Sequence, residues 1–317
     1  MVSVNSQAML IVEQMVAQAD TLGISVSRLP GGARVLDLGV QAPGGLQAGK
    51  YLAEVCMGGL GQVTFLPLDF GSFWLPGVGV SVDWPAIGCM AAQYAGWAIK
   101  REKFFAMGSG PARALAVVEP LYEKLAYKDE ADVAVLVLEG RQMPTDEVAA
   151  YIAGKCRVDP GNLTLLIAPT ASLAGSIQIS ARVVETGLHK LVELGFDVRQ
   201  VLSGYGTAPI APVDKDDLHA IGRTNDCVLY GGQVYYTVRA DDAGLAVLIE
   251  RIPSVASSDY GQPFYRLFKQ YGGDFYKIDP MLFSPAMVTI NNVASGKSYR
   301  AGRLNPEVLG ASLLGLP

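Results

Sequence analysis

The sequence predicts an α/β protein with α+β-like mixed sheets, divided into two domains. Three observations lead there. A chain of 317 residues exceeds the length at which a single hydrophobic core usually keeps growing. Between residues 132 and 194, apolar runs short enough for buried strands alternate with longer segments of helical period, the order that builds parallel pairing. Near the C-terminus, 287–304 reads as a hairpin turning at Ser295-Gly296, which needs antiparallel pairing. The expected boundaries place 1–105 and 265–317 in a first domain, with the hairpin returning to it, and 106–264 in a second that carries a helix at 177–194.

Taken in order, residues 3–22 read as an amphipathic helix whose apolar residues are interrupted by Asn5, Gln7, Glu13 and Gln14. ISVSRLPGGARVLDLGV (24–40) reads as two strands around Pro30-Gly31-Gly32, a turn in which Gly supplies unusual dihedrals. A Gly-rich turn at 42–49 precedes the helix KYLAEVCM, stopped by Gly58-Gly59. Repeated Gly and Pro through 61–84 predict short strands and loops, and 86–100 reads as a helix of small residues suited to close packing. The loop MGSGPAR (107–113) leads to a helix from about Pro111 to Leu125, with Ser109 placed to cap it and Pro111 near its first turn. Strand 132–138 follows, then helix 145–156, opened by Thr145 with Asp146 and Glu147 in its first turn, then strand 163–168. Beyond the helix at 177–194, 198–213 reads as strand then loop. A helix at 214–221 leads to GRTNDCVLYGG and the strand QVYYTVRA, and 252–280 mixes polar and aromatic residues around a short helix.

Charge is sparse: half the residues are hydrophobic, 17% are charged and the net charge is −5. A surface so economical in charge points to partial cover by other subunits, hence to a homo-oligomer. The acidic balance and the lack of a Lys/Arg run argue against nucleic acid. No run reaches the ~20 apolar residues of a membrane span, and the N-terminus lacks a basic region ahead of its apolar residues; a soluble, cytoplasmic protein without a membrane partner is expected. Cys56, Cys89, Cys156 and Cys227 are widely scattered, which fits structural thiols in a reducing compartment. With His189 and His219 the only histidines and no cluster at ligand spacing, no metal is expected. The glycine-rich loops that usually cradle nucleotides are also missing.

The most informative stretch runs from Leu163 to Leu194: the strand LTLLIA, the turn PTASLAGS and the helical segment IQISARVVETGLHKLVEL. At about 100° per residue, Gln178, Arg182, Glu185 and His189 fall within an arc of roughly 60°. Opposite them, Ile179, Val183, Val184, Leu188, Leu191 and Leu194 form a broad apolar arc. Arg182 and Glu185, three apart, can meet on one face. A solvated face with one salt bridge gives such a stripe. A pocket face does so equally, because each polar side chain occurs once, where a solvated face repeats Lys and Glu. The small-residue turn would also aim free backbone N–H groups above the strand end.

APGGLQAG (42–49) and APTASLAG (168–175) share AP and AG at the same spacing, which suggests a pseudo-repeat. A true duplication would set two strand-turn-helix units facing each other across a cleft. Cys56 and Gly59 would then match Arg182 and Glu185, leaving the chemistry to the second copy.

Further motifs run along the chain: AEVCMGGLG (53–61), QYAGW (93–97), MGSGPARA (107–114), and the APT turn with the Arg182, Val183, Val184, Glu185 run. They continue with GRTND (222–226), YGG (230–232), IPS and SSDYG (252–261), and DFYKIDP with FSPA (274–286). As an ordered set over nearly the whole length, they make the chain resemble the methenyltetrahydromethanopterin cyclohydrolases, one-carbon enzymes of methanogens and methylotrophic bacteria. The resemblance implies two α/β domains with a large pocket between them, a homotrimer, and hydration of 5,10-methenyltetrahydromethanopterin to the 5-formyl compound. The tetrahydromethanopterin derivative is the substrate and no cofactor is implied. The family's catalytic Arg and Glu fall on Arg182 and Glu185.

The substrate carbon lies in a cationic amidinium, already electrophilic, so what remains is to deprotonate and aim a water. Glu185 is the candidate base and, as an anion, would stabilise the bound cation. Arg182 could hold the carboxylate or the water and keep Glu185 ionised. Gln178 joins them as a substrate-binding candidate. For the anionic tail of the pterin, Ser109 and Arg113 in MGSGPAR and Thr170 and Ser172 in the APT turn offer donors, although an ordinary capped helix start explains MGSGPAR as well. Arg223, Asn225 and Asp226 suit a pterin edge, and an Asx turn suits them equally. Tyr94, Trp97, Tyr260 and Phe275 could stack on flat rings or fill the core. The competing function is a pterin-binding carrier or regulator without turnover, against which the paired Arg182 and Glu185 speak. A structural oligomer subunit would leave the polar aromatic segment at 258–280 without purpose, and a folate-type cyclohydrolase would not share these motifs.

Overall fold

The computed structural model describes residues 2–101, 103–273 and 277–316. Helix α1 (Val4–Ala17) opens where Ser3 accepts a hydrogen bond from the Ser6 amide. The expected helix 3–22 breaks at Gln18, and a single turn, α2 (Ala19–Leu22), ends on left-handed Gly23. β1 (Ser25–Arg28) and β2 (Arg34–Asp37) make the anticipated hairpin. α3 (Leu46–Cys56) begins inside the stretch expected to be turn. β3 (Gly61–Asp69) and β4 (Trp74–Val82) are longer than the Gly/Pro pattern suggested. Pro67 is tolerated because β3 is an edge strand.

Residues 86–100 are not one helix: a π-helical segment, Ala86–Gln93, gives way to β5 (Trp97–Arg101). Buried Trp97 and Ile99 alternate there with exposed Ala98 and Lys100, a period of two hidden by the small-residue composition. β6 (Phe104–Ser109) absorbs much of the expected MGSGPAR loop. The expected helix Pro111–Leu125 is two pieces, α4 (Ala112–Ala116) and α5 (Leu121–Leu125), parted by left-handed Val117 and by Pro120. β7 (Ala134–Glu139), α6 (Asp146–Cys156), capped by Thr145, and β8 (Leu163–Ala168) match expectation.

The single helix expected at 177–194 is interrupted: α7 (Leu173–Ser180) and α8 (Val183–Glu193) flank a turn at Ala181-Arg182. β9 (Val201–Pro209) follows. GRTND is not a turn but the middle of α9 (Asp217–Gly231), whose cap Asp216 accepts from the His219 amide. Next come β10 (Gln233–Val238), α10 (Asp242–Leu248), α11 (Phe264–Gln270), the predicted hairpin β11 (Met287–Asn292) and β12 (Ser298–Gly302), and α12 (Pro306–Leu314).

The chain forms two compact units, Met1–Gln62 with Ile87–Gln178, and Val63–Ala86 with Ile179–Pro317. The first holds a sheet of order β1-β2-β8-β7-β6-β5, in which β2, β8 and β7 are parallel and the rest antiparallel. One face packs on α6 through Leu136, Leu165, Ile152 and Ala153. The opposite face packs on α1, α3 and the start of α7 through Val12, Leu52, Ala174 and Leu166. The second unit holds the order β12-β11-β10-β9-β4-β3, parallel at β10–β11. A core of Tyr230, Phe264, Leu267 and Leu309 joins α9, α11 and α12 there. These boundaries differ from the expected 1–105 with 265–317 and 106–264: the C-terminal hairpin pairs with β10, beside β9, and so belongs with α8.

The two AP…AG stretches do not face each other across a cleft. Both lie in the first unit, and their strands β2 and β8 are parallel neighbours. The shared small residues serve contact between the two following helices: a Cβ on Gly49 would lie 3.0 Å from the Ala174 Cα and 2.8 Å from Ile177. Among the described residues, no helix is long and apolar enough to cross a membrane.

Candidate active site

Helix α8 owes its position to the second sheet. Val183 and Val184 are fully buried, the Tyr236 hydroxyl of β10 donates to the Val184 carbonyl, and a Cβ on Gly187 would strike that hydroxyl at 2.2 Å. At its far end Lys190, 1% exposed, donates through Nζ to the Met281 carbonyl. Burial draws the Lys190 ammonium down to about 8, against the opposing charge of Asp279. The helix is therefore anchored at both ends.

The break before α8 puts Arg182 at the N-cap, with non-helical dihedrals, and Glu185 in the first turn. The Arg182 amide donates to the Ile179 carbonyl and the Arg182 carbonyl accepts from the Thr186 amide, so the backbone turns without losing its hydrogen bonds. Arg182 and Glu185 are 8% and 5% exposed, and the guanidinium Nη1 lies 3.7 Å from the carboxylate Oε2. A solvated face is excluded for this pair. Gln178 is also buried, on α7. His189 is partly exposed and faces Glu193 at 3.7 Å on the outer part of α8. The stripe of four is thus broken between α7 and α8, with Gln178, Arg182 and Glu185 as its buried part and His189 as its outer one.

The remaining candidates fall in several places. Arg113 is fully buried and its guanidinium grips Glu119 in a fork, Nε to Oε1 at 2.8 Å and Nη2 to Oε2 at 2.6 Å. Its Nη1 reaches the Met90 and Ala92 carbonyls at the end of the π-helical segment. That charge is directed inward, so the expected anion site on Arg113 is not formed. Ser109 does not cap α4, whose N-cap is Pro111; it ends β6 with its hydroxyl 3.6 Å from the Cys56 thiol. Ser172 is committed to its own turn, donating to the Pro169 carbonyl and accepting from the Gly175 amide. Thr170 donates to Glu139 at the end of β7.

In α9, Arg223 pairs with Asp214 at 3.0 Å and the Asn225 amide group donates to the Ile221 carbonyl. Asp226 is fully buried, accepting from the Phe264 amide and the Ser312 hydroxyl, and it ties α9 to α11 and α12. It presents no edge to a ligand. Tyr260 packs on Tyr230 and accepts from Asn305. Tyr94 is partly exposed and lies under the Arg113 guanidinium, and Trp97 packs against Tyr151 in the core. Phe275 lies outside the described residues.

Burial pushes the Asp226 carboxyl up to about 7, against the lowering by its Ser312 and Phe264 bonds. The unfolded chain releases that proton near the ordinary Asp value while the fold keeps it. The stability contributed by this group is therefore fully present below pH ~4, falls as pH rises towards 7, and is lost above. In urea titrations the wild type is expected to lose about 2–4 kcal/mol from this group between pH 4 and pH 8, and Asp226→Asn to lack that loss.

Sequence reasoning missed Glu139, Asp37 and Lys190. Asp37 accepts from the amides of Gly39, Val40, Gln41 and Ala42 and so fixes the loop after β2. Burial raises its carboxyl and these four bonds outweigh that, holding it below the ordinary range. The available signal was positional: Asp37 and Glu139 each close an apolar run that ends at the carboxyl edge of a parallel strand.

The sequence model of a family described as "Cyclohydrolase (MCH)" matches residues 3–313. A methenyltetrahydromethanopterin cyclohydrolase of Methanocaldococcus jannaschii is 50% identical over 318 aligned positions, covering 99% of this chain and 98% of its own. One from Methanothermobacter marburgensis is 49% identical, covering 98% of each chain. One from Methylobacillus flagellatus is 47% identical, covering 98% of this chain and 95% of its own. A family match over nearly every residue, with relatives near half identity from archaea and a bacterium alike, leaves one conclusion: the chain belongs to the cyclohydrolase (MCH) family.

Proposed function

We propose that this protein hydrolyses 5,10-methenyltetrahydromethanopterin to 5-formyltetrahydromethanopterin in one-carbon metabolism. The observation that carries the reading is near-complete, near-50% identity to relatives that bear the name of that activity. The buried Arg182–Glu185 pair supports it chemically.

Glu185 acts as the base. Its carboxylate takes a proton from water as the oxygen attacks the amidinium carbon, forming one C–O bond and a neutral tetrahedral adduct. Protonated Glu185 then returns the proton to N10 as the C–N10 bond breaks. The formyl group stays on N5, and the net release is one proton. Two features complement the negative charge of Glu185: the first-turn position at the positive end of α8 and the adjacent guanidinium of Arg182. Gln178 and Thr170 remain candidates for substrate contacts. A homotrimer in the cytoplasm is part of the same proposal, supported by the sparse surface charge.

The test is direct: purified protein is added to methenyltetrahydromethanopterin and the loss of its absorbance is followed, with the 5-formyl product identified. Turnover is expected. Tight binding without turnover would move the reading to a pterin carrier.

A further inference from the structure

We infer that Tyr236 is a positioning residue for Glu185: with Gly204 beside it, it forms a seat on the second sheet that fixes the height and rotation of the first turn of α8. The inference rests on the function proposed above, in which Glu185 is the base.

Register supplies the seat. β9 and β10 are antiparallel, with Gly204 opposite Tyr236 and Gly206 opposite Val234. Strand side chains alternate between faces, so these four positions share one buried face, and the exposed Tyr205 and Tyr235 share the other. Glycine inside a strand weakens it and marks a close approach by another element. Here that element is α8: a Cβ on Gly204 would lie 2.7 Å from Val184 Cγ1, and one on Gly206 2.9 Å from Val183 Cγ1. Ordinary carbon contact begins about 1 Å further out, so the two glycines let the helix settle that much closer to the sheet than alanines would. Helix and seat belong wholly to the second unit.

Tyr236 is the post beside this hollow. Fully buried, it runs its ring past Gly204, where a Cβ would lie 3.5 Å from ring carbon Cδ1, and its hydroxyl donates to the Val184 carbonyl at 2.7 Å. A carbonyl oxygen has two lone pairs, so this bond is added to the helical ladder without displacing a member. Within the same helix, Gly187 leaves the hydroxyl its room.

Burial alone does not account for this arrangement. A Phe at 236 would fill nearly the same volume with no hydroxyl to desolvate, and alanines at 204 and 206 would strengthen β9. What the hydroxyl and the missing Cβ atoms add is a defined place for Val184, the residue before Glu185. α8 starts at its own cap, Arg182, whose dihedrals are not helical, so its rotation is set by what its first turn rests on. Each residue turns a helix by about 100°, and a fixed Val184 therefore fixes the direction in which the Glu185 side chain leaves the axis. A general base depends on that direction, since a displacement of about 1 Å costs up to about 10²-fold in rate.

The test uses the full chain and hydrolysis of methenyltetrahydromethanopterin, with the unfolding midpoint of every variant measured so that rates refer to folded molecules. Tyr236→Phe is expected to lower kcat at least about threefold with KM within about twofold. Gly204→Ala should lower kcat about 30- to 100-fold, and adding Val184→Ala, which returns the space, should recover at least about fivefold of it. The decisive readout is the Glu185→Gln background, where Tyr236→Phe should lower kcat less than about twofold further, because no base is left to misplace. A larger further fall there would make Tyr236 a structural residue and overturn the inference, as would a fall of less than about threefold in the wild-type background. Should Tyr236→Phe not fold, an unchanged kcat in Gly204→Ala overturns it equally. Each of these results leaves wild-type turnover, and with it the hydrolase, in place. Absence of wild-type turnover would sink the hydrolase reading first and the seat's role with it.

Discussion

Glu185→Gln is expected to lower kcat by several hundredfold or more while substrate binding is retained. The replacement keeps the shape of the side chain and one carbonyl oxygen but cannot accept a proton from water, and a positioned general base is worth about 10²–10⁴ in rate. Because Arg182 is buried beside it, the change also removes the charge that its guanidinium faces at 3.7 Å. Loss of a buried partner costs stability, so the unfolding midpoint is measured on the same preparation, and kcat is compared among folded molecules. The Gln carbonyl softens that loss by remaining an acceptor. Equal activity in the two proteins would remove Glu185 as the base and leave its burial to be explained by packing alone.

Arg113→Ala is expected to be the most damaging substitution for stability, by about 3–5 kcal/mol. Three losses coincide. Glu119 keeps a carboxylate with no guanidinium to answer it, the Met90 and Ala92 carbonyls at the end of the π-helical segment lose their donor, and the Tyr122 ring loses its cation. Against a total stability of about 5–15 kcal/mol, such a loss leaves little folded protein at 37 °C. The urea midpoint measures it, and a double change of Arg113→Met with Glu119→Gln should recover part of the deficit. A raised KM at an unchanged midpoint would instead restore Arg113 as a ligand for the anionic tail.

These two residues show what a sequence can and cannot disclose. Arg182 and Glu185 were legible because their meeting is local: three positions apart, they share a face whether the helix is whole or begins between them. The break itself was not legible, since α7 and α8 continue one apolar period and no Gly or Pro marks Ala181-Arg182. β7 and β8 were legible as short, wholly apolar runs, the pattern of strands covered on both sides. Arg113 and Asp226 were misread because their partners are fixed by tertiary structure: Ser312 lies far along the chain from Asp226, and Glu119 on the far side of the turn after α4. Residue type advertised both as ligand-binding groups. Burial made them internal fasteners. Glu139 went unremarked for the opposite reason, because a lone Glu after an apolar run carries no motif and gains meaning only from where β8 ends beside it.

The placement of β3 and β4 also bears on how the chain comes to be folded as it is made. β4 pairs with β9, whose first residue, Val201, is synthesised more than a hundred residues after Val82. At about 5–20 residues per second the interval is on the order of ten seconds. During that time the segment between Gln62 and Ile87 has left the ribosome with an unpaired edge, while the second of the two stretches that build the first unit is completed. The nascent protein therefore passes through a state in which one sheet is finished and a hairpin of the other is exposed. That hairpin carries Phe65 and Trp74 on its surface, so its unpaired edge and its apolar side chains are exposed together until β9 is made.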